Sequence, residues 1–599
     1  MFKLIRQFFS LLTLGQRRRF YFLQILVVIM SFTEIIGVVS IVPFMGLVGD
    51  MSQLKQDTFI AQIFQISGIT SESQFVFLLG VGVLIALFIS AGISIFTLWK
   101  MSMFANEIGS EIADRLYTHY LKQSWLFHVS GSSAQLTKKI ATETLRVTNY
   151  LLTPLMLMNA RIVFIALMII SLFFFDPIVA IVGFAFFGFA YFILYRLIRN
   201  RLEENGRNIS EVNEQRFRLM NEGFGGIKDI LLLGRDYDFI KRFNKTGITL
   251  AYSQGTNVGL SLVPRYFIEL LAFGSMIALL LYLIKSYDGD LGAILPIISV
   301  YALASAKLLP AFQMVYASIS NIKGNIAALE SIQQDIIDSM QIKSAHFKNK
   351  EKKYILPKKH ISLENISFTY PEKNELALNK VNISVPVNGI VGIVGPSGSG
   401  KSTLIDILLG LIEPDQGNLK IDNTIINDQN LRQWQNTIGF VAQSIFLSEG
   451  TIAENIAFGI PRDEINLDQV NQAIKLSHLS ELLQGLEKGV HTKVGERGIQ
   501  LSGGQRQRIG IARALYHEAE VIVFDEATSS LDGITEKMIM EAINEFSGKK
   551  TIIMIAHRLK TVQKCDQLFF IDKGKVVDKG TYQELIKSNE HFRKMAAHS

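Results

Sequence analysis

Apolar residues in the first half of the chain fall in long runs, at about 21–48, 75–99, 151–175, 177–197, 266–284 and 291–309. Each is long enough to cross a hydrocarbon core as a helix of ~20 residues, with every backbone hydrogen bond closed internally. The connections between the runs alternate in character. Those after the first, third and fifth runs are short or acidic, with Asp50, Asp57, Glu72, Asp176, Asp288 and Asp290. Those after the second and fourth are long, polar and basic. One carries Lys100, Arg115, Lys122, Lys138, Lys139 and Arg146; the other carries Arg199, Arg201, Arg207, Arg216, Arg218, Lys228, Arg235, Lys241 and Arg242. An excess of Lys and Arg marks the cytoplasmic side, so both long loops and both chain ends are expected there.

Heptad-like apolar spacing over 106–121 and 201–220 predicts that the membrane helices continue into the cytoplasm. Breaks at Ser130, Gly131, Ser132 and Ser133, and at Gly223, Phe224, Gly225 and Gly226, let each pair turn back. Before the first run, Phe2, Leu4, Ile5, Phe8 and Phe9 alternate with Lys3, Arg6 and Gln7, predicting a short helix on the inner membrane surface. The run that follows is too long for a signal-peptide core and lacks a small-residue cleavage site. After Lys307 an amphipathic helix continues through Ile332 and Ile336, and a lysine-rich stretch then marks a linker. The expected organisation is a surface helix at 1–20, a six-helix membrane domain at 21–335, a basic linker at 336–359 and a globular domain at 360–599.

Composition narrows this further. Hydrophobic residues make up 49% of the 599 positions and Phe occurs 41 times, which excludes an ordinary soluble protein. The formal charge of +7 fits basic cytoplasmic loops, and no nucleic-acid partner is expected. The one cysteine, Cys565, excludes an intrachain disulfide and reads as a small buried hydrophobe.

Chemistry concentrates after the linker. A short β-prone run at 389–394 leads into Gly395, Pro396, Ser397, Gly398, Ser399, Gly400, Lys401, Ser402 and Thr403. This is the G-x-x-x-x-G-K-[ST] pattern in a strand–loop–helix context. Its glycines let backbone N–H groups approach phosphates, and the helix N-terminus behind them favours negative charge. Lys401 is placed for the β- and γ-phosphates and Ser402 for Mg²⁺. The apolar run 521–524 ends in Asp525 and Glu526, so a buried strand delivers two carboxylates. Asp525 suits Mg²⁺, and Glu526 is placed to polarise the attacking water.

Upstream of that strand stand Leu501, Ser502, Gly503, Gly504 and Gln505. With the phosphate loop, Asp525, Glu526 and His557, they make 360–595 resemble the ATP-binding cassette (ABC) family. The resemblance implies a fold of two parts: a polytopic α-helical membrane domain of six helices (the type I ABC exporter fold) and an α/β P-loop NTPase cassette. It assigns Tyr370 to adenine stacking, Gln443 to Mg²⁺ sensing, Asp532 to the loop crossing to a partner cassette and His557 to the γ-phosphate. The stretch around Glu496 resembles an exporter-type motif that touches membrane-domain loops. All catalytic positions match, and the order of the two parts is that of an exporter half-transporter. One phosphate loop and one Leu-Ser-Gly-Gly-Gln element per chain imply a homodimer with two composite ATP sites, rather than a heterodimer. The segments near Ser132 and Gly225 are the candidates to press on the cassettes.

The membrane half is also similar to bacterial lipid-linked-oligosaccharide flippases, at Ser31, Phe32, Thr33 and Glu34 through Pro43 and Phe44, at Val263, Pro264, Arg265 and Glu269, and at 304–310. Three cations, Arg161, Arg265 and Lys307, lie in or beside apolar runs, ~21, ~29 and ~24 Å below the outer boundary. A cationic ring at that depth suits the phosphate of an amphipathic lipid or glycolipid entering from the inner leaflet. Against it, Glu269 is one helical turn from Arg265, Glu34 lies at a depth to pair with Arg161, and Lys307 can snorkel. The expected role is therefore ATP-driven flipping in a bacterial inner membrane. The alternatives are export of peptides, toxins or drugs, and a nucleotide-gated channel, which intact Glu526 and His557 disfavour.

Overall fold

The computed structural model describes residues 12–49, 51, 54, 59–175, 177–286, 291–341, 353–371, 373–495, 498, 501–526, 533–556 and 558–597. Two compact units divide the chain: Met1–Gln123 with Phe127–Ala345, and Ser124–Leu126 with His346–Ser599.

The first unit is helical. The six apolar runs lie on six long helices: α1 (Leu14–Gly49), α2 (Glu72–Leu121), α3 (Thr153–Phe175), α4 (Pro177–Gly225), α5 (Asp236–Ser286) and α6 (Leu291–Gln341). Among the described residues, five helices are long and apolar enough to cross a membrane. The periodic parts of the basic loops are continuous with α2 and α4, because their apolar faces have partners to pack on. Met101, Phe104, Ile108, Ile112 and Leu116 of α2 form one core with Val27 and Met30 of α1 and Ala328, Ile332 and Ile336 of α6. The serine and glycine breaks border short helices: Trp125–Ser130 ends at the first, and Ile227–Leu233 follows the second after α4 ends at Gly225, closed by Gly234 in the left-handed region at φ 62°. Residues 14–20 belong to α1, and 1–11 of the expected surface helix lie outside the described residues; of the linker expected at 336–359, 336–341 continue α6 and 342–352 lie outside the described residues.

The second unit is α/β. Its six-stranded sheet runs β10-β9-β3-β8-β7-β6. The strands are β3 (Ile390–Val394), β6 (Ile438–Val441), β7 (Val521–Asp525), β8 (Thr551–Ile555), β9 (Gln567–Asp572) and β10 (Lys575–Gly580). β9, β3, β8, β7 and β6 pair in parallel, and β10 closes the edge antiparallel. β3 and β8 are buried along their whole length, which is why both read as unbroken apolar runs. A second, antiparallel sheet, β2-β1-β4-β5, is built from β1 (His360–Thr369), β2 (Leu376–Pro386), β4 (Gln416–Ile421) and β5 (Thr424–Ile425). Leu126 packs on the core cluster that holds Leu404, Ile405 and Trp434.

Candidate nucleotide site

Ligands in open parallel sheets bind beyond the carboxyl ends of the strands, and the motif residues collect there. β3 runs into the loop Gly395–Gly400, and helix α7 (Lys401–Leu408) leaves it. Two glycines make the loop possible. Gly400 sits at φ 104°, and a Cβ there would lie 2.7 Å from the Ala377 carbonyl oxygen. A Cβ on Gly395 would lie 2.0 Å from the Ile571 carbonyl oxygen. Any larger residue would push the backbone off its neighbours and close the cradle.

Lys401 is buried, and its Nζ donates to the carbonyl oxygens of Gly395 at 2.9 Å and Pro396 at 2.8 Å. Burial lowers its pKa, and the charges of Glu526 and Asp525 act the other way. Ser402 faces solvent one residue further on, while the buried Ser399 Oγ has no hydrogen-bond partner among the described residues. Tyr370 comes from just beyond β1, and its hydroxyl meets Thr403 Oγ1 at 3.0 Å, with Phe368 edge-on at 5.1 Å. The ring is thereby fixed beside the helix that carries the lysine.

Two strands away in the same sheet, Asp525 ends β7 opposite Ile555 of β8. The next residue, Glu526, takes φ 48°, a conformation costly for a residue with a Cβ. Its N–H donates to the Ile555 carbonyl at 3.1 Å, and Gln443 Nε2 donates to its Oε2 at 2.7 Å. The structure thus brings Gln443 and Glu526 together across 83 residues of sequence.

The hydroxyl, amide and carboxylate oxygens of Ser402, Gln443 and Asp525 are hard donors of the kind Mg²⁺ takes, alongside the phosphates themselves. The glycine cradle and the partnerless Ser399 hydroxyl fit a bound triphosphate. The residues present therefore suit both groups.

Ser502 and Gln505 are explained locally. Ser502 caps helix α8 (Gly503–Tyr516): its Oγ accepts from Gln505 N at 3.2 Å, and its own N–H donates to Gln505 Oε1 at 2.8 Å. This capping box fixes an exposed helix N-terminus, a ready donor to an anion. Ser502 and Gly503 are exposed, Leu501 and Gln505 half-buried and Gly504 buried. Asp532, His557 and Glu496 lie outside the described residues.

Two supporting residues escaped sequence reasoning. Gln507 Nε2 donates to the Ala442 carbonyl at 3.2 Å and so holds the strand end before Gln443. Its signal was available: it shares the buried face of α8 with Gly504, Ile511 and Ala514. Asp406, on α7, accepts a hydrogen bond from the Trp125 indole and feels the Asp525 charge; burial pushes its pKa up to about 6.

In the membrane unit the three candidate cations are not equivalent. Arg161 NH1 lies 3.2 Å from Glu34 Oε2, with the side chains 18% and 10% exposed. The other Glu34 oxygen accepts from Ser94 Oγ at 2.9 Å. Arg265 Nε lies 2.7 Å from Glu269 Oε1, which Gln313 also approaches at 3.4 Å. Lys307 is exposed.

A cassette with this site, joined to long apolar helices, defines the ATP-powered membrane transporters as a class. The family model for the ABC transporter transmembrane region matches residues 22–307, and that for the ABC transporter matches 378–529. The chain belongs to the ABC transporter family, as an exporter-type half-transporter and a multi-pass membrane protein. A solved structure of a bacterial Atm1-family ABC exporter with ATP bound aligns at a TM-score of 0.76 over 97% of this chain and 98% of that one, at 20% identity. The fold is that of type I ABC exporters. An ATP-dependent lipid A-core flippase of Mannheimia succiniciproducens is 26% identical over 88% of each chain. One of Cupriavidus pinatubonensis is 39% identical over 38% of each, so the chain spans about two fifths of that relative's length.

Proposed function

We propose that the chain is an ATP hydrolase coupled to transport, working as a homodimer that flips an anionic amphipathic lipid, of the lipid-linked oligosaccharide kind, across a bacterial inner membrane. Both termini face the cytoplasm in this reading. The observation that carries it is the Gln443–Glu526 hydrogen bond beside a phosphate loop, in a chain whose other half is built for a bilayer. Lys401 holds the β- and γ-phosphates, Tyr370 takes the adenine, and Mg²⁺ is held by Ser402, Gln443 and Asp525. Glu526 polarises the attacking water, and His557 contacts the γ-phosphate. Ser502 and the α8 N-terminus of one copy meet the nucleotide of the other, with Asp532 on the crossing loop. ATP then stabilises one of two global states and its hydrolysis releases it.

The lipid A-core flippases among its relatives support a glycolipid substrate. A second reading has its own support: the carboxylate partners of Arg161 and Arg265 offset the cationic ring and favour an uncharged amphiphile, drug or peptide. ATPase assays in lipid nanodiscs, against a panel of glycolipids, peptides and dyes, separate the two. Stimulation by anionic glycolipids that is lost in the Lys307→Ala variant supports the first; stimulation by dyes or peptides alone overturns it. Glu526→Gln is expected to bind ATP without turnover, and normal hydrolysis by that variant would remove Glu526 from its role.

A further inference from the structure

The helix leading into α3 is not α-helical throughout. Two π segments, Lys139–Glu143 and Thr148–Leu152, flank a single α turn, Thr144–Val147. Each closes with an i→i+5 bond, from Thr144 N–H to the Lys139 carbonyl and from Thr153 N–H to the Thr148 carbonyl. A π segment carries one residue more than the α turn it replaces and has poorer hydrogen-bond geometry, so it persists only where its surroundings favour it. Here threonine hydroxyls assist: Thr144 Oγ1 donates to the Lys139 carbonyl at 3.0 Å, and Thr148 Oγ1 to the Thr144 carbonyl at 2.9 Å.

The turn between the two segments is anchored. Arg146 reaches Glu143 Oε2 at 2.9 Å on its own helix, Ser210 Oγ at 2.7 Å on α4 and Asn325 Oδ1 at 3.2 Å on α6. Glu143 is 0% exposed, and its other oxygen faces Lys138 Nζ at 3.5 Å, which also lies 3.3 Å from Glu214 of α4. A buried guanidinium with carboxylate, hydroxyl and amide partners from three helices is hard to displace, because moving it strands charge away from water.

We infer that the Arg146 turn is a fixed pivot and that the two π segments are the slack on either side of it. Through them, α3 and the cytoplasmic helix Ser133–Lys138 shift along their axis as π turns convert to α turns and back. The pivot stays tied to α4 and α6 throughout. This rests on the transport cycle proposed above.

Hydrogen exchange of the full-length protein in nanodiscs tests it, with nucleotide absent and with Mg-ATP and vanadate. Amides across 141–153 are expected to change exchange rate tenfold or more between the two conditions, while the Ser133–Lys138 amides change little. Equal rates at 141–153 in a preparation that hydrolyses ATP would overturn the pivot; a preparation with no hydrolysis overturns the proposed function instead. Removing the exposed Ala141 deletes the extra residue of the first π segment while keeping the faces of the flanking turns. That variant is expected to hydrolyse ATP yet lose the vanadate-dependent change in exchange across this segment, and retention of the native change would also sink the inference.

Discussion

Gln443 Nε2 donates to Glu526 Oε2 at 2.7 Å, fixing the orientation of a carboxylate whose backbone is already held at φ 48°. A hydrogen bond to a charged group contributes about 1.5–3 kcal/mol. Gln443→Ala is therefore expected to lower the ATPase kcat by roughly 10- to 100-fold, since 1.36 kcal/mol is tenfold in rate. ATP binding measured with Glu526 intact is expected to weaken less. A kcat within twofold of native would show that the bond positions nothing.

Asp406 gives the protein a pH signature. Its pKa, near 3.8 in the unfolded chain, rises to about 6 through burial and the Asp525 charge. The folded state therefore holds that proton more tightly than the unfolded state. The stability this adds is full below pH ~4 and is lost as pH rises through about 6. Thermal unfolding of Asp406→Asn, compared with native between pH 4 and 7, is expected to lack that slope. Trp125→Phe removes a bond that favours the carboxylate, so it is expected to move the loss to higher pH. Parallel curves for native and Asp406→Asn would contradict the assignment.

The two membrane ion pairs differ in weight. Arg161–Glu34 is largely enclosed, so Arg161→Met leaves a buried carboxylate with Ser94 and is expected to cost about 3 kcal/mol. Adding Glu34→Leu is expected to restore most of it. Arg265 is 56% exposed, and Arg265→Ala is expected to leave stability almost unchanged. Unfolding in detergent, read as a double-mutant cycle, checks both.

The Ser502 cap carries a local stability effect separable from the nucleotide role proposed for it. Ser502→Ala is expected to cost about 1 kcal/mol, and Ser502→Thr to retain most of it, because threonine also caps. Melting temperatures of the three proteins without nucleotide measure this directly. An unchanged melt for Ser502→Ala would show that α8 is held by its packing alone.

What the sequence determined by itself was everything with a short range. Run length and periodicity specify the long helices, 23 to 51 residues each, because a helix's bonds reach only four residues. The phosphate loop was legible because its glycines, Lys401 and Ser402 are adjacent in the chain. Only the tertiary structure decided which distant groups meet. Lys138, Lys139 and Arg146 counted in the sequence as basic loop residues marking the cytoplasmic side; folded, Lys138 and Arg146 are buried and all three are ion-paired. Glu34 takes Arg161 as its partner across 127 residues, and Tyr370 ties to Thr403 across 33. Desolvation makes an unpaired buried charge costly, so the folded chain must find each one a partner, and packing between helices and strands decides which.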